Sequence, residues 1–303
     1  MNPGRLAMRS GLAIAFLLLT RAIPAAAQEK LTLALFAPNA PFESGDARYA
    51  FVSRLAQQIA SSTGVTVEPK AYARSQDLEA ALAKNQVDLA VLDGIYLAER
   101  GVPYNVIATA ASSGDTFVRW VLYSSESGGI GELQGKRLVY VATASKDSNF
   151  IDNGLLDGEL PKHFGARQTT PDLASAITTV VLKKAECVFA PEGQGRGLHR
   201  VFEGPRVPNP AFVQINSALR PELVAKIRQV VLGSSPGGTY EGWRAGTAEP
   251  YRALATRLGP KTRRPVMTEP DVVQLEGIQV TPTPLEPVLT EIKDQYWHPT
   301  GTP

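Results

Sequence analysis

The chain has 303 residues, and 31 lysines and arginines set against 29 aspartates and glutamates leave a formal net charge of +2. That length exceeds what one hydrophobic core usually organises and points to about two domains, while the near balance of charge, with no basic stripe interleaved with aromatics, argues against nucleic acid as a partner. The single cysteine, Cys187, excludes an internal disulfide and any multi-cysteine metal site; within Cys187-Val188-Phe189-Ala190 it reads as a small buried residue.

Arg5 and Arg9 precede an uncharged apolar stretch, Gly11 to Thr20, followed by Pro24-Ala25-Ala26-Ala27. This is the pattern of a secretory signal peptide, with cleavage expected after Ala27. Arg21 stops the stretch short of the roughly 20 apolar residues a spanning helix needs, and no cysteine follows to take a lipid, so a freely diffusing periplasmic protein is expected.

Leu31 to Phe36 reads as a buried strand and Ala37 to Ser44, with two prolines, as a loop. Ser44 is placed to cap a helix whose Val52, Leu55, Ala56 and Ile59 share one face and which Gly64 ends. Val65 to Val67 is the next strand; Ser75 is expected to cap a second helix carrying Leu78, Ala81 and Leu82; Val87 to Leu92 is a third strand. Strands alternating with helices imply a parallel sheet.

The order repeats. Arg137 to Val141 reads as a strand, Ala142 to Asn149 as a polar loop, Phe150 to Leu156 as a short helix, and Thr170-Pro171 as the cap and first position of a helix leading into Cys187 to Ala190. Asp77-Leu78-Glu79-Ala80-Ala81-Leu82 before Val87 to Val91 loosely parallels Asp172-Leu173-Ala174-Ser175-Ala176-Ile177 before Ala185 to Phe189, as if two lobes shared a plan. Phe117 to Tyr123 and Ala211 to Ile215 are candidate crossover strands; two connections let two lobes close about a ligand by a hinge. Pro221 to Leu232 and Pro250 to Leu258 read as helices, and the proline-rich end from Pro260 to Pro303 as irregular.

No catalytic constellation stands out. His163, His199 and His298 are isolated, without metal-ligand spacing, and are expected at the surface. Gly193-Gln194-Gly195-Arg196-Gly197 lacks the Lys-Ser/Thr of a phosphate loop and reads as a flexible connection. There is no Gly-x-Ser-x-Gly elbow. No enzyme activity, cofactor or metal is expected.

Taken together, the signal peptide, Tyr49 to Gly64 with Val65-Thr66-Val67-Glu68, Tyr72 ahead of Asp77 to Leu82, Val87 to Asp93, Leu133-Gln134-Gly135-Lys136-Arg137-Leu138 and the serine-bearing loop before Glu186 to Ala190 resemble the phosphate/phosphonate-type periplasmic substrate-binding proteins of ABC transporters. The resemblance implies an α/β, two-lobe, type 2 periplasmic-binding fold with a hinge and a cleft. It divides the chain into a signal peptide (1–27), a discontinuous first lobe (28–115 plus 211–303) and a second lobe (116–210). It also implies a small, anionic or zwitterionic solute delivered to an inner-membrane ABC permease and its ATPase. A sensor kinase as partner, or a member that has lost ligand binding, stays open; a monomer is expected.

Because open α/β sheets place ligands beyond the carboxyl ends of their strands, the site candidates are Asn39, Tyr72, Asp93 and Tyr96 in the first lobe. Ser145, Ser148, Asn149 and Glu192 are the candidates in the second. The two tyrosines suit stacking or hydrogen bonding to a ligand, or the core. The loop Ala144 to Asn149 suits an anion at a helix N-terminus, or simply a helix cap at Ser148 or Asp147. The family's phosphonate binders carry a tighter Ser-Thr-Ser-Gly-like loop at this point, where this chain has Lys146-Asp147. Arg196 at a cleft edge is a further candidate for meeting an anion.

Overall fold

The computed structural model describes residues 30–143, 147–160, 162–235 and 240–259. The expected signal peptide, the proline-rich end, His298 and Ser145 lie outside these residues. β1 (Lys30–Phe36), α1 (Gly45–Thr63), β2 (Thr66–Ala71), α2 (Ser75–Ala83), β3 (Leu89–Leu92), α3 (Gly94–Glu99) and β4 (Asn105–Ala111) open the fold. β5 (Phe117–Ser124), β6 (Arg137–Val141), α4 (Asp147–Asn149, continuing as a π-helical turn, Phe150–Leu155), β7 (Ala166–Thr170), α5 (Leu173–Val181), β8 (Cys187–Pro191) and β9 (His199–Pro208) follow. The chain then closes with β10 (Ala211–Gln214), α6 (Pro221–Gly233), β11 (Gly242–Ala245) and α7 (Glu249–Leu258).

The strands form two sheets, ordered β11-β4-β10-β3-β1-β2 and β7-β6-β8-β5-β9. Both are mixed. In the first, β1 pairs in parallel with β2 and β3, whereas β10 runs antiparallel to β3 and β4. In the second, β6 pairs in parallel with β7 and β8, whereas β5 is antiparallel to β8 and β9. The triplets β2-β1-β3 and β7-β6-β8 therefore share one plan, and the two helix-to-strand segments matched in the sequence occupy the same step of it, α2 into β3 and α5 into β8.

Alternation along β1 explains how one strand organises two cores. Leu33 and Leu35 face Phe51, Leu55 and Ile59 of α1 and Ile227 and Val231 of α6, while Ala34 and Phe36 face Leu78, Tyr96 and Tyr251. In the second lobe Trp120, Leu122 and Phe189 line one face of the sheet, and Val121, Val139, Val188 and Ala190 pack beneath Leu173, Ala176 and Val180 of α5 on the other. Cys187 is fully buried, and burial pushes its thiol up to about 12.

Four local expectations change. Ser75 is the first residue of α2, whose N-cap is Arg74 with no side-chain cap. Thr170 ends β7, paired with Val141, so capping passes to Asp172, whose carboxylate accepts from Ser175 N. Phe117 to Tyr123 and Ala211 to Ile215 are not themselves the crossings but adjoin them: the chain passes between sheets at residues 112–116 and 209–210. His163 is buried, its Nε2 2.8 Å from the Ile130 carbonyl, because the turn it occupies packs beside residue 135.

α7 touches both lobes. Tyr251 is sealed in the first lobe with its hydroxyl 3.0 Å from Thr109 Oγ1 and donating to the Asn209 carbonyl at 2.9 Å, while Leu254 and Leu258 pack in the core around Trp120 and Phe150. Asn153 Nδ2 donates to the Leu258 carbonyl and Arg257 to the Gly154 carbonyl. Leu254→Ala is expected to cost about 2–5 kcal/mol, read as a lowered urea midpoint. A loss under about 0.5 kcal/mol, typical of a surface change, would show that α7 is not part of this core.

Candidate functional site

The cleft between the sheets is built at the carboxyl ends of the parallel strands. β1 leads into the loop carrying Pro38 and Asn39, β3 into Asp93 and Gly94, and β6 into Thr143 and Asp147. Asp93 is buried; it caps α3 by accepting from Ile95 N (2.9 Å) and ties down the first loop by accepting from Asn39 N (3.2 Å). Burial raises its carboxyl above the ordinary range, and the hydrogen bonds from Ile95 and Asn39 oppose that shift. Gly94 is a glycine for a steric reason: a Cβ there would strike the carbonyl oxygen of Pro208, at the second crossing.

Asn39 spans the cleft. Its Nδ2 donates to Thr143 Oγ1 at 2.8 Å, joining residues 104 apart in sequence, and Thr143 N is held by the Asp147 carboxylate at 3.1–3.2 Å. Beside it, Leu173 N donates to the Pro38 carbonyl at 3.0 Å, and the buried Arg48 lies 3.6 Å from Asp172. Behind these contacts the deep cleft is occupied by the protein's own Ile95, Trp120, Phe150 and Phe189. The voids left among them are about 10 and about 20 Å³, room for about one water each. A larger space lies at the mouth, a cavity of about 300 Å³ walled by Ala73 to Gln76 on one lobe and by Ala142 and Thr169 to Pro171 on the other, and a hollow of about 520 Å³ lies by the crossings, beside Asp115, Phe117, Arg119 and Glu192.

The sequence candidates distribute unevenly over this geometry. Asn39 and Asp93 meet at the cleft. Tyr72 is half-buried at the end of β2, its amide donating to the Leu35 carbonyl and its ring against the first-lobe core; burial raises its hydroxyl pKa, and Glu68 and Asp77 add to the shift. Tyr96 is fully buried in that core, edge-on to Phe36, with its hydroxyl unpartnered among the described residues; burial drives its pKa far up. It does not face the cleft. Ser148 is exposed and Asn149 half-buried on α4. Glu192 is exposed near the crossings, where its carboxylate pairs with Arg200 at 2.8 Å and its amide donates to the Arg119 carbonyl. Arg196 is exposed in the turn after β8. Thr143, Trp120 and the Arg48–Asp172 pair were missed by sequence reasoning, because nothing local marks a residue whose partner is supplied by the other lobe.

The protein-family description "ABC transporter, phosphonate, periplasmic substrate-binding protein" matches residues 39–242, more than half of the chain. The chain belongs to this family. It is accordingly a solute-binding protein serving an ABC importer, in a periplasmic family of binding proteins and not of enzymes. No curated protein matches it.

Solved structures share its fold. A binding-protein component of an ABC phosphonate transporter from Pseudomonas aeruginosa aligns with TM-score 0.60 at 12% identity over 76% of this chain and 85% of that one. PhnD1 from Prochlorococcus marinus in complex with methylphosphonate gives 0.59 at 12% identity, over 76% and 97%. A Xanthomonas citri protein bound to ATP gives 0.59 at 11%, also over 76% and 97%. No helix among the described residues is long and apolar enough to cross a membrane.

Two outcomes follow. Asn39→Ala removes the cross-cleft bond, worth about 1 kcal/mol net, and is expected to enlarge the radius of gyration in small-angle scattering; an unchanged radius would show that this bond does not hold the lobes. A carboxyl raised in the folded state adds stability below its unfolded pKa and loses it as pH rises through the folded one. The stability of the parent relative to Asp93→Asn should therefore fall as pH is raised from below the ordinary carboxylate range, in urea titrations at several pH values. A constant difference would contradict the raised carboxyl.

Proposed function

We propose that the protein captures a small anionic or zwitterionic solute at the mouth of the interlobe cleft, closes on it by bending at the two crossings, and presents the closed form to the permease. The supporting observation is the cavity of about 300 Å³ walled by both lobes, beside a deep cleft already filled by side chains. Its size sits at the lower end of the range for small-ligand sites. Its walls are mixed: Arg74, Ser75, Gln76, Thr169 and Thr170 bring polar groups among Ala73, Ala142 and Pro171. Arg74 supplies a cation, already sharing Asp77 through two hydrogen bonds at 2.9 and 3.1 Å, and the first turn of α2 has no side-chain cap. A ligand with one acidic and one basic group would match the Arg74–Asp77 pair; a simple anion would displace Asp77 from Arg74.

In this reading Asn39, Asp93 and Thr143 set the closed geometry, and Tyr72, which precedes the wall of Ala73 to Gln76, is the sequence candidate nearest the solute. Glu192 sits at the opposite side, near the hinge. The protein acts as a monomer, performs no covalent chemistry, and its cargo passes to the importer; a membrane sensor as receiver differs only in the partner that a pull-down with the closed form would recover.

The test is a thermal-shift screen of the exported protein against phosphonates, sulfonates, carboxylates, amino acids and amines. A ligand at 100 times its Kd stabilises the native state by about 2.7 kcal/mol, and the shift should shrink by at least half in a Gln76→Ala/Thr169→Val variant. Silence across all classes, or a hit indifferent to that variant, would refute the cavity as the solute seat.

A further inference from the structure

A poorly satisfied charge is buried between the lobes. Arg48 lies in the first turn of α1 and continues, at its cleft end, the buried stripe of Phe51, Val52, Leu55 and Ile59. Its side chain is 9% exposed. Nε is buried without a hydrogen-bond partner among the described residues, and the carboxylate paired with the guanidinium is Asp172 of the other lobe, 3.6 Å away. That distance is beyond hydrogen-bond reach. The acids nearest in sequence, Glu43 and Asp46, are exposed and form no ion pair with it among the described residues. Asp172 is itself engaged elsewhere: it is 29% exposed and caps α5 by accepting from Ser175 N at 2.9 Å. Beside it Leu173 N donates to the Pro38 carbonyl, which brings the start of α5 over the start of α1.

Two effects weigh against a guanidinium in this place. Taking an ion out of water is offset by a partner only when the geometry is good and the remaining donors are satisfied; here one donor is buried unpaired and the carboxylate stands off. The side chain of a helical residue also leans toward its own N-terminus, where the aligned peptide dipoles disfavour a cation. Lobe separation relieves both, because it withdraws Asp172 and Leu173 and returns the guanidinium to water. Asp172 loses little by the same movement, since it keeps its bond from Ser175 and is already partly solvated.

We propose that Arg48 is a positioning residue that works against closure, so that the Arg48–Asp172 pair is a brake on the empty protein and not a latch. The apolar contact of Ile95, Trp120, Phe150 and Phe189 and the Asn39–Thr143 bond favour the shut form; the buried charge opposes them and keeps the unliganded lobes able to part. Solute binding then supplies what closure lacks, and affinity for any solute falls with the fraction of the empty protein that is open. Arg48 does this without meeting the cargo, since it is not among the walls of the cavity at the mouth. The proposal rests on closure by bending at the crossings, as in the function proposed above, and is independent of which solute is carried.

The experiment measures the interlobe distance in the empty exported protein by double electron–electron resonance. Spin labels go on Gln57→Cys in α1 and Lys184→Cys beyond α5, both exposed positions, while Cys187 stays unlabelled because it is fully buried with its thiol pushed up to about 12. Arg48→Met should raise the ratio of shut to open protein at least about fivefold, the low end of the gain from replacing buried ionic groups with apolar ones. Asp172→Asn, which keeps a capping oxygen but leaves Arg48 uncompensated, should lower it, and Arg48→Lys should stay close to the parent. A latch predicts a lower ratio for Arg48→Met as well as for Asp172→Asn, so an unchanged or lower ratio in Arg48→Met overturns the proposal. So does a parent found wholly shut when empty. One identical distance in the parent, in these variants and in Asn39→Ala overturns hinge closure itself, whereas a distance that moves with Asn39→Ala alone overturns only the role of Arg48. If Arg48→Met no longer melts cooperatively, Arg48→Gln takes its place, and an unchanged or lower ratio there refutes the idea.

Discussion

The fold turns on Asn209. It is buried at the second crossing, where its Nδ2 donates to the carbonyls of Ala110 and Asp115 at 3.1 and 3.2 Å, its N to the Thr116 carbonyl at 2.8 Å, and its carbonyl accepts from Tyr251. Both passages between the sheets are thereby tied at one residue. A buried amide left unpaired is costly, so its bonds to both strands hold the crossings together. Pro208 and Pro210 on either side restrict the backbone further, and Gly94 lets the α3 end approach that backbone closely. The cleft geometry depends on this node, which fixes the axis between the two sheets that carry its walls.

Much of the fold was legible because it is written in local patterns. The buried alternation of β1, the Ser44 cap and Gly64 stop of α1, and the proline start of α6 are each decided by neighbours within a few positions, and each stands where the sequence placed it. The repeated step from helix to strand was faint in sequence yet real in topology, since both lobes use the same three-strand order. What escaped was decided at long range. β4, β9 and β11 carry little pattern of their own and exist through pairing with strands far away in the chain. His163 has the composition of a surface turn but is buried by a backbone contact to residue 135. The site was less readable still: Tyr96 follows an apolar strand as a ligand tyrosine would, but α3 turns it into the core, while Thr143 acquires its importance from an asparagine over a hundred residues earlier.

The filled interior of the cleft and the open space at its mouth divide the work. Trp120, Phe150, Phe189 and Ile95 make the interior an apolar contact between lobes, which favours the shut form through burial. A polar solute gains little there. At the mouth, hydroxyl, amide and guanidinium groups remain, and in the function proposed above selectivity rests on that shallow rim and closure on the contact beneath it. The type 2 architecture shared with the phosphonate-binding structures fits several such divisions, because the fold fixes where a cleft lies and side chains alone decide how deep it is.

α7 changes the mechanics of that arrangement. Two strand crossings define an axis about which two bodies are free to turn, but they leave the angle undetermined. A third attachment away from that axis supplies the missing condition: with Tyr251 fixed at the crossings and Leu254 and Leu258 seated in the other lobe, every rotation must shear this helix against one of its two seats. The resting angle is then a property of the helix, and substitutions along it would tune the balance between shut and open without touching a single residue that meets the cargo.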